Sequence, residues 1–307
     1  MNVRSTTVLV RVMTGLVIAL SFVVPNLYTA YAVEDRSESI LLTPTSKRYT
    51  VDAGEVVNDS FTIINNGKNA YEFTVVATPY SVRNEAYSPE FQQETVNSDA
   101  YKWIQFTKVK WSAAPGETVE IPYTMRVSEG AKAGGHYGAI FAQTVANESD
   151  GATGIVSSKS VGLILYANVN GPTKEEGRLQ KVDIPFYQTA APLDISAYVE
   201  NSGEVDFETK VTFAVMDLAG DVKYQTSAEY PVLPGTTRRI DLEWNQAAWF
   251  GIYKTRVEAT ILGVQDVKEG YIVLAPRWLL FVGSLALLLG VINVVRSKTS
   301  HTRTRRS

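Results

Sequence analysis

The 307-residue chain has no cysteine. That excludes disulfides, thiolate zinc sites and cysteine nucleophiles, and leaves stability to apolar cores. Histidine is nearly as scarce, with two in all, His301 in the last seven residues and His136. Ser-His and Cys-His nucleophile pairs and the usual transition-metal sets need partners that residues 33–275 do not supply. There is no phosphate-cradling glycine loop and no nucleophile elbow. The expectation is a protein that is not an enzyme, with no catalytic residues, no metal site and no cofactor.

Acidic residues are absent from both ends. Residues 1–32 carry Arg4 and Arg11, an apolar run over 16–24 broken only by Ser21, and a closing Ala30-Tyr31-Ala32. This reads as a cleavable signal peptide over 1–32, with Val33 as the new N-terminus. Without disulfides, such an exported chain fits a Gram-positive-type envelope better than a eukaryotic surface. Near the other end, residues 278–295 form an uncharged 18-residue run, WLLFVGSLALLLGVINVV, followed by Arg296, Lys298, Arg303, Arg305 and Arg306. At 1.5 Å per residue it reaches about 27 Å, so a single transmembrane helix is expected over 276–295, with a basic cytoplasmic tail over 296–307. The expected localisation is single-pass in the cell membrane with the ectodomain outside.

All 32 acidic residues therefore lie in 33–275, where 21 of the 29 basic residues remain, a net charge of −11 for that part against −3 overall. Such a surface disfavours nucleic acid as a partner and favours cations or basic protein surfaces.

Those 243 residues contain an internal repeat. The first copy runs DSFTIINNGKNAYEFTVV and the second LDISAYVENSGEVDFETKVTFAV, each a strand, an Asn-x-Gly turn and a strand with every second side chain apolar. A Pro-Gly turn opens a later strand in both, at Pro115-Gly116 and Pro234-Gly235. Further on come Gly135-His136-Tyr137 and Gly251-Ile252-Tyr253. Gly-x-Tyr at the head of a penultimate strand is the pattern of a tyrosine corner, with the hydroxyl tied to upstream backbone, so Tyr137 and Tyr253 are expected to be structural. The second copy places Ile252 where the first has His136, which argues against a ligand role for that histidine. The predicted fold is all-β, two tandem immunoglobulin-like β-sandwiches over 33–170 and 179–275, joined by a linker at 171–178 and followed by the transmembrane helix.

Two acidic features fall between strands. Glu175-Glu176 lies in the charged linker sequence GPTKEEGR and is the only carboxylate pair that suggests glycoside hydrolysis. Glu148 and Asp150, in loop 147–154, could hold calcium or simply form a polar turn, since the EF-hand spacing is absent. In the second copy Trp244 and Trp249 bracket a turn, and at least one of them is expected in the core.

The copies differ in length. From Asn-x-Gly to Pro-Gly there are 49 residues in the first (Gly67 to Gly116) and 32 in the second (Gly203 to Gly235), placing about 17 extra residues within 80–106. Tyr80, Tyr87, Phe91, Tyr101 and Trp103 stand there among polar residues. They are the partner-binding candidates if the loop is a recognition loop; the alternative is a loop folded over an open sandwich end with the aromatics as its own small core.

The stretches ILLTPTSKRYTVDAGEVVNDSFTIINNG, VKWSAAPGETVEIPYTMRV and GAKAGGHYGAIFAQT resemble the WxL-interacting family of bacterial cell-surface proteins. The likeness spans the exported part. It departs where that family often has a PGQ-type segment, here Val51-Asp52-Ala53-Gly54-Glu55, and in a short second domain. The resemblance implies a membrane-anchored adaptor whose first domain binds peptidoglycan and whose second binds a partner or host. Expected partners are thus a cell-wall polymer or a WxL-type surface protein. Two other readings remain open, a chaperone-like assembly module using an exposed edge strand and an adhesin for a host or neighbouring-cell ligand.

Overall fold

The computed structural model describes residues 39–144 and 158–303. The expected signal peptide, the loop 147–154 and Arg305 and Arg306 lie outside the described residues.

The first sandwich is built from β1 (Ile40–Thr43), β2 (Ser46–Val51), β3 (Val56–Asn65), β4 (Tyr71–Pro79), β5 (Ser81–Arg83), β6 (Ser88–Glu90), β7 (Ile104–Gln105), β8 (Lys110–Ala113), β9 (Thr118–Arg126), β10 (Gly134–Thr144) and β11 (Ser160–Val169). One sheet has the order β1-β3-β9-β7 and the other β2-β11-β10-β4-β8. The chain changes sheets at Pro44, so β1 pairs antiparallel with β3 while β2 pairs parallel with β11. Alternation of side chains puts Phe61, Ile63, Phe73, Ile121, Met125, Ile140, Leu163 and Leu165 between the sheets, all but fully buried. Each contributes about 1.5–3 kcal/mol by leaving water.

The second sandwich comprises β12 (Gly177–Asp183), β13 (Tyr187–Gln188), β14 (Leu193–Asn201), β15 (Phe207–Met216), β16 (Val222–Val232), β17 (Thr236–Trp244), β18 (Gly251–Ile261) and β19 (Val264–Leu274). Its sheets run β12-β14-β17 and β13-β19-β18-β15-β16. Val199, Val211, Phe213, Ile240, Val257 and Ile272 fill the core. Trp244 is buried there, its ring 5.2 Å from that of Tyr253, whereas Trp249 is 64% exposed.

The sequence repeat is one hydrogen-bonded device used twice. Asn65 Nδ2 donates to the carbonyls of Asn69 and Ala113, and its Oδ1 accepts from Gly67 N. Asn201 Nδ2 donates to the carbonyls of Val205 and Val232, and its Oδ1 accepts from Gly203 N. The Pro-Gly turns close on the same residues, with Gly116 N and Gly235 N donating to the Asn65 and Asn201 carbonyls at 2.8 and 2.9 Å. Both turn glycines have positive φ, 74° and 69°, which a side chain would strain. A buried amide that satisfies backbone on three sides is what both Asn-x-Gly signatures encode.

The expectation for the C-terminal segment needs correction. A helix, α1 (Arg277–Arg303), is present, but among the described residues no helix is long and apolar enough to cross a membrane. The transmembrane helix over 276–295, and the single-pass localisation built on it, are not supported.

Candidate functional site

The stretch GGHYGAIFAQ begins β10 at the junction of the two sandwiches. Gly135 N donates to the Glu204 carbonyl at 2.9 Å, and a Cβ on Gly134, whose φ is 121°, would stand 2.9 Å from that same oxygen. Only glycine lets the backbone of the first sandwich come this close to the turn of the second. The sequence 171–178 is not a free linker either, because Glu204 N donates to the Lys174 carbonyl and Ser202 N to that of Glu176. Glu176 pairs with Lys174 on the surface, not with Glu175 in a catalytic couple.

Neither tyrosine forms the corner expected of it. Tyr137 is 2% exposed, and its hydroxyl donates to Asp206 Oδ1 of the other sandwich at 3.0 Å while accepting from Asp206 N at 3.2 Å. Burial, with the Asp206 charge and hydrogen bond adding to it, pushes the Tyr137 hydroxyl pKa well up, so it stays a donor. Tyr253 is packed against Trp244, and among the described residues no hydrogen bond ties its hydroxyl to upstream backbone. Its ring fills the space beside Gly251, where a Cβ would meet it at 2.6 Å. The Gly-x-Tyr spacing thus marks a ring lying over its own glycine in both copies, and among the described residues only the first hydroxyl finds a partner.

Asp206 is the centre of this junction. Its side chain is 5% exposed and also accepts from Arg48 on β2, whose guanidinium lies 4.2 Å from the Tyr166 ring centroid and reaches Glu208 at 3.0 Å. One buried carboxylate therefore draws two residues of the first sandwich, Tyr137 and Arg48, onto the second.

The extra residues of the first copy complete the seam. β5 and β6 form a hairpin on the outer face of the sheet containing β10, where Tyr80 stacks on Phe91 at 5.7 Å and Phe91 meets Phe141 edge-on at 4.8 Å. Tyr80, Tyr137, Ala139, Tyr166 and Leu233 form a third buried cluster, with Tyr87 and Phe91 packed against it. At the hairpin end Tyr87, at φ 60°, bonds Thr236 Oγ1 at 2.8 Å under the Arg238 guanidinium, and Arg239 N donates to the Glu85 carbonyl at 2.7 Å.

The candidate residues thus separate. Tyr80, Tyr87 and Phe91 come together, but within the molecule, as a strut between sandwiches. Trp103, in the short turn Ala100–Trp103, is 5% exposed in the first core. Tyr101 lies on the surface side of that turn, its hydroxyl donating to Glu94, which also binds Lys102 at 2.8 Å.

His136 braces this turn from below. Nδ1 is 2.6 Å from Asp99 Oδ1, Nε2 is 2.9 Å from the Lys132 carbonyl, and the Trp103 ring lies 4.9 Å away. Both facing oxygens accept, so the imidazolium, a donor at both nitrogens, fits best. Burial opposes that charge, but the Asp99 hydrogen bond, the Lys132 carbonyl and the Asp99 charge outweigh it and raise the pKa. Among the described residues no group of three or more His, Asp or Glu could hold a metal ion.

What the seam leaves open is a cleft of about 250 Å³, mostly apolar, lined by Tyr80, Val82, Val96, Tyr137, Leu233 and Pro234. Val96, at its rim, is 89% exposed. Sequence reasoning found the aromatics but not Arg48, Asp99, Asp206 or Arg238. Each of these acts across a long separation, as in the 158 residues between Arg48 and Asp206, and carries no local pattern.

No family model and no curated protein matches the chain. Solved structures similar to it include the class 5 fimbriae chaperone CfaA, at 10% identity over 78% of this chain and 100% of that one, TM-score 0.38. The Pseudomonas aeruginosa CupB2 chaperone matches at 10% identity over 75% and 98%, TM-score 0.38. A Salmonella enterica SafA pilin–SafB chaperone complex matches at 12% identity over 77% and 96%, TM-score 0.38. At such scores the likeness carries no weight.

Proposed function

We propose that the chain is a non-enzymatic assembly module for surface proteins, which seats an apolar side chain of an extended client segment in the cleft between its two sandwiches. The observation that carries this reading is the cleft itself. It is apolar, lies where two domains are locked together, and at about 250 Å³ is below the usual range for small-molecule sites but ample for a large side chain. A rigid seam lowers the ordering cost of binding, since the walls need not close on the client. The resemblance in the first-domain stretches names the client class, a WxL-type surface protein. Binding of a wall polymer is not favoured, because the rings that would stack on sugars, Tyr80, Phe91 and Trp103, are turned inward.

Val96→Asp tests the reading with little risk to the fold, given how exposed Val96 is. Titration of a purified WxL-type surface protein from the same envelope should be weakened about tenfold or more, as expected when a charge replaces an apolar rim contact. Undiminished binding with an unchanged melting curve contradicts it.

A further inference from the structure

The sheet β13-β19-β18-β15-β16 ends on β16, an edge strand of eleven residues, VKYQTSAEYPV. It pairs with β15 on one side only, and among the described residues no backbone hydrogen bond meets residues 222–229 on the other. Such a ladder of open N–H and C=O groups is a template for another strand. The side that faces out follows from Pro231. It has no N–H to give β15, and its carbonyl accepts from Arg238 Nη1 at 2.7 Å, so residue 231 points away from the sheet. By alternation Glu229, Ser227, Gln225 and Lys223 do the same, the last as the extra residue of a bulge opposite Met216.

We propose that the chain forms a two-fold dimer by antiparallel pairing of β16 with β16 of a second copy, centred on Thr226. In that register Gln225 faces the partner's Ser227 and Ser227 the partner's Gln225 as hydrogen-bonded pairs. Lys223 and Glu229 then stand opposite the partner's Glu229 and Lys223 on the outer face. The strand is therefore charge-complementary to itself, which is the condition for an isologous contact. Glu229 makes no ion pair among the described residues; its register partner on β15 is Lys210. Lys223 is already held by Asp217 at 2.8 Å and Asp221 at 3.7 Å, both on the turn that precedes β16, so its ammonium is placed at the strand's end. Neighbouring registers are worse. Sliding by one pair in one direction sets Pro231, without an N–H, opposite Lys223, and in the other sets Asp221 opposite Glu229.

The test uses the full chain. Because it lacks cysteine, Thr226→Cys reports on the two-fold axis directly. Residues 226 would form a non-hydrogen-bonded pair with Cα atoms about 4.5 Å apart, within disulfide range. Mild oxidation should link T226C into dimers and leave Thr212→Cys, one strand inward, unlinked. In sedimentation velocity, Ser227→Pro, which removes an outward N–H as Pro231 already does, should give monomers. Lys223→Glu and Glu229→Lys should each weaken association about tenfold or more, and the double variant should recover it. A dimer that survives S227P, T226C that links no better than T212C, a double variant that is not rescued, or a monomer whose edge is filled by another protein's strand would each overturn the proposal.

Discussion

Removing Asp206 should uncouple the sandwiches. The carboxylate is 5% exposed, accepts from the buried Tyr137 hydroxyl at 3.0 Å and pairs with Arg48 across the seam. Asp206→Ala leaves Tyr137 with a buried donor and no acceptor, a loss of about 1–3 kcal/mol. The Arg48 pair adds less, because its guanidinium is 39% exposed and keeps Glu208. A total of about 2–3 kcal/mol corresponds to roughly 5–10 °C in a unit of this size. Calorimetry should show one cooperative transition for the parent chain and two for D206A, while Glu208→Ala, at an exposed position, stays within about 0.5 kcal/mol of the parent. A single transition at the parent temperature in D206A would show that the seam is not held by this carboxylate.

The His136–Asp99 brace should be pH dependent. His136 is raised above 6.5, so its stabilisation is full below that value and is lost as pH rises through the higher folded pKa. Burial opposes the Asp99 charge, but the His136 interactions outweigh it and lower its pKa below 3.8, so its share is present above 3.8 and fades as pH falls through the folded value. Melting temperature should therefore be highest between those limits, and His136→Gln should flatten the alkaline limb. Asn201→Ala removes three hydrogen bonds, two of them buried, and should cost about 3 kcal/mol by chemical denaturation, with Asn65→Ala alike. Tyr137→Phe should cost about 1–2 kcal/mol and Tyr253→Phe under about 0.5, because among the described residues only the former hydroxyl is bonded; equal losses would contradict the placement of these tyrosines.

The repeat was legible because its determinants are local. Asn65 and Asn201 stand two residues before a glycine, and period-two alternation names the buried faces of β3, β4, β14 and β15 directly. The role of the insert was not legible. Tyr80, Tyr87 and Phe91 look the same in sequence whether they face a partner or a neighbouring domain, and what decides between these is Leu233, Thr236 and Arg238, about 150 residues away. The counterpart Ile252 argues against a ligand role for His136, but that comparison could not show its bond to Asp99. The C-terminal apolar run was legible as a helix, Arg277–Arg303, but the membrane span read from it is not supported.

The central claim is that a surface protein is held at the cleft between the sandwiches. A photoreactive phenylalanine analogue at position 96 tests it most directly, with position 249, another exposed apolar site, as the control. Irradiation in the native envelope should join position 96 to a WxL-type surface protein, identified by mass spectrometry, and position 249 should not capture that protein. Capture at 249 and not at 96, or no protein adduct at 96 while the chain is folded, would contradict the account.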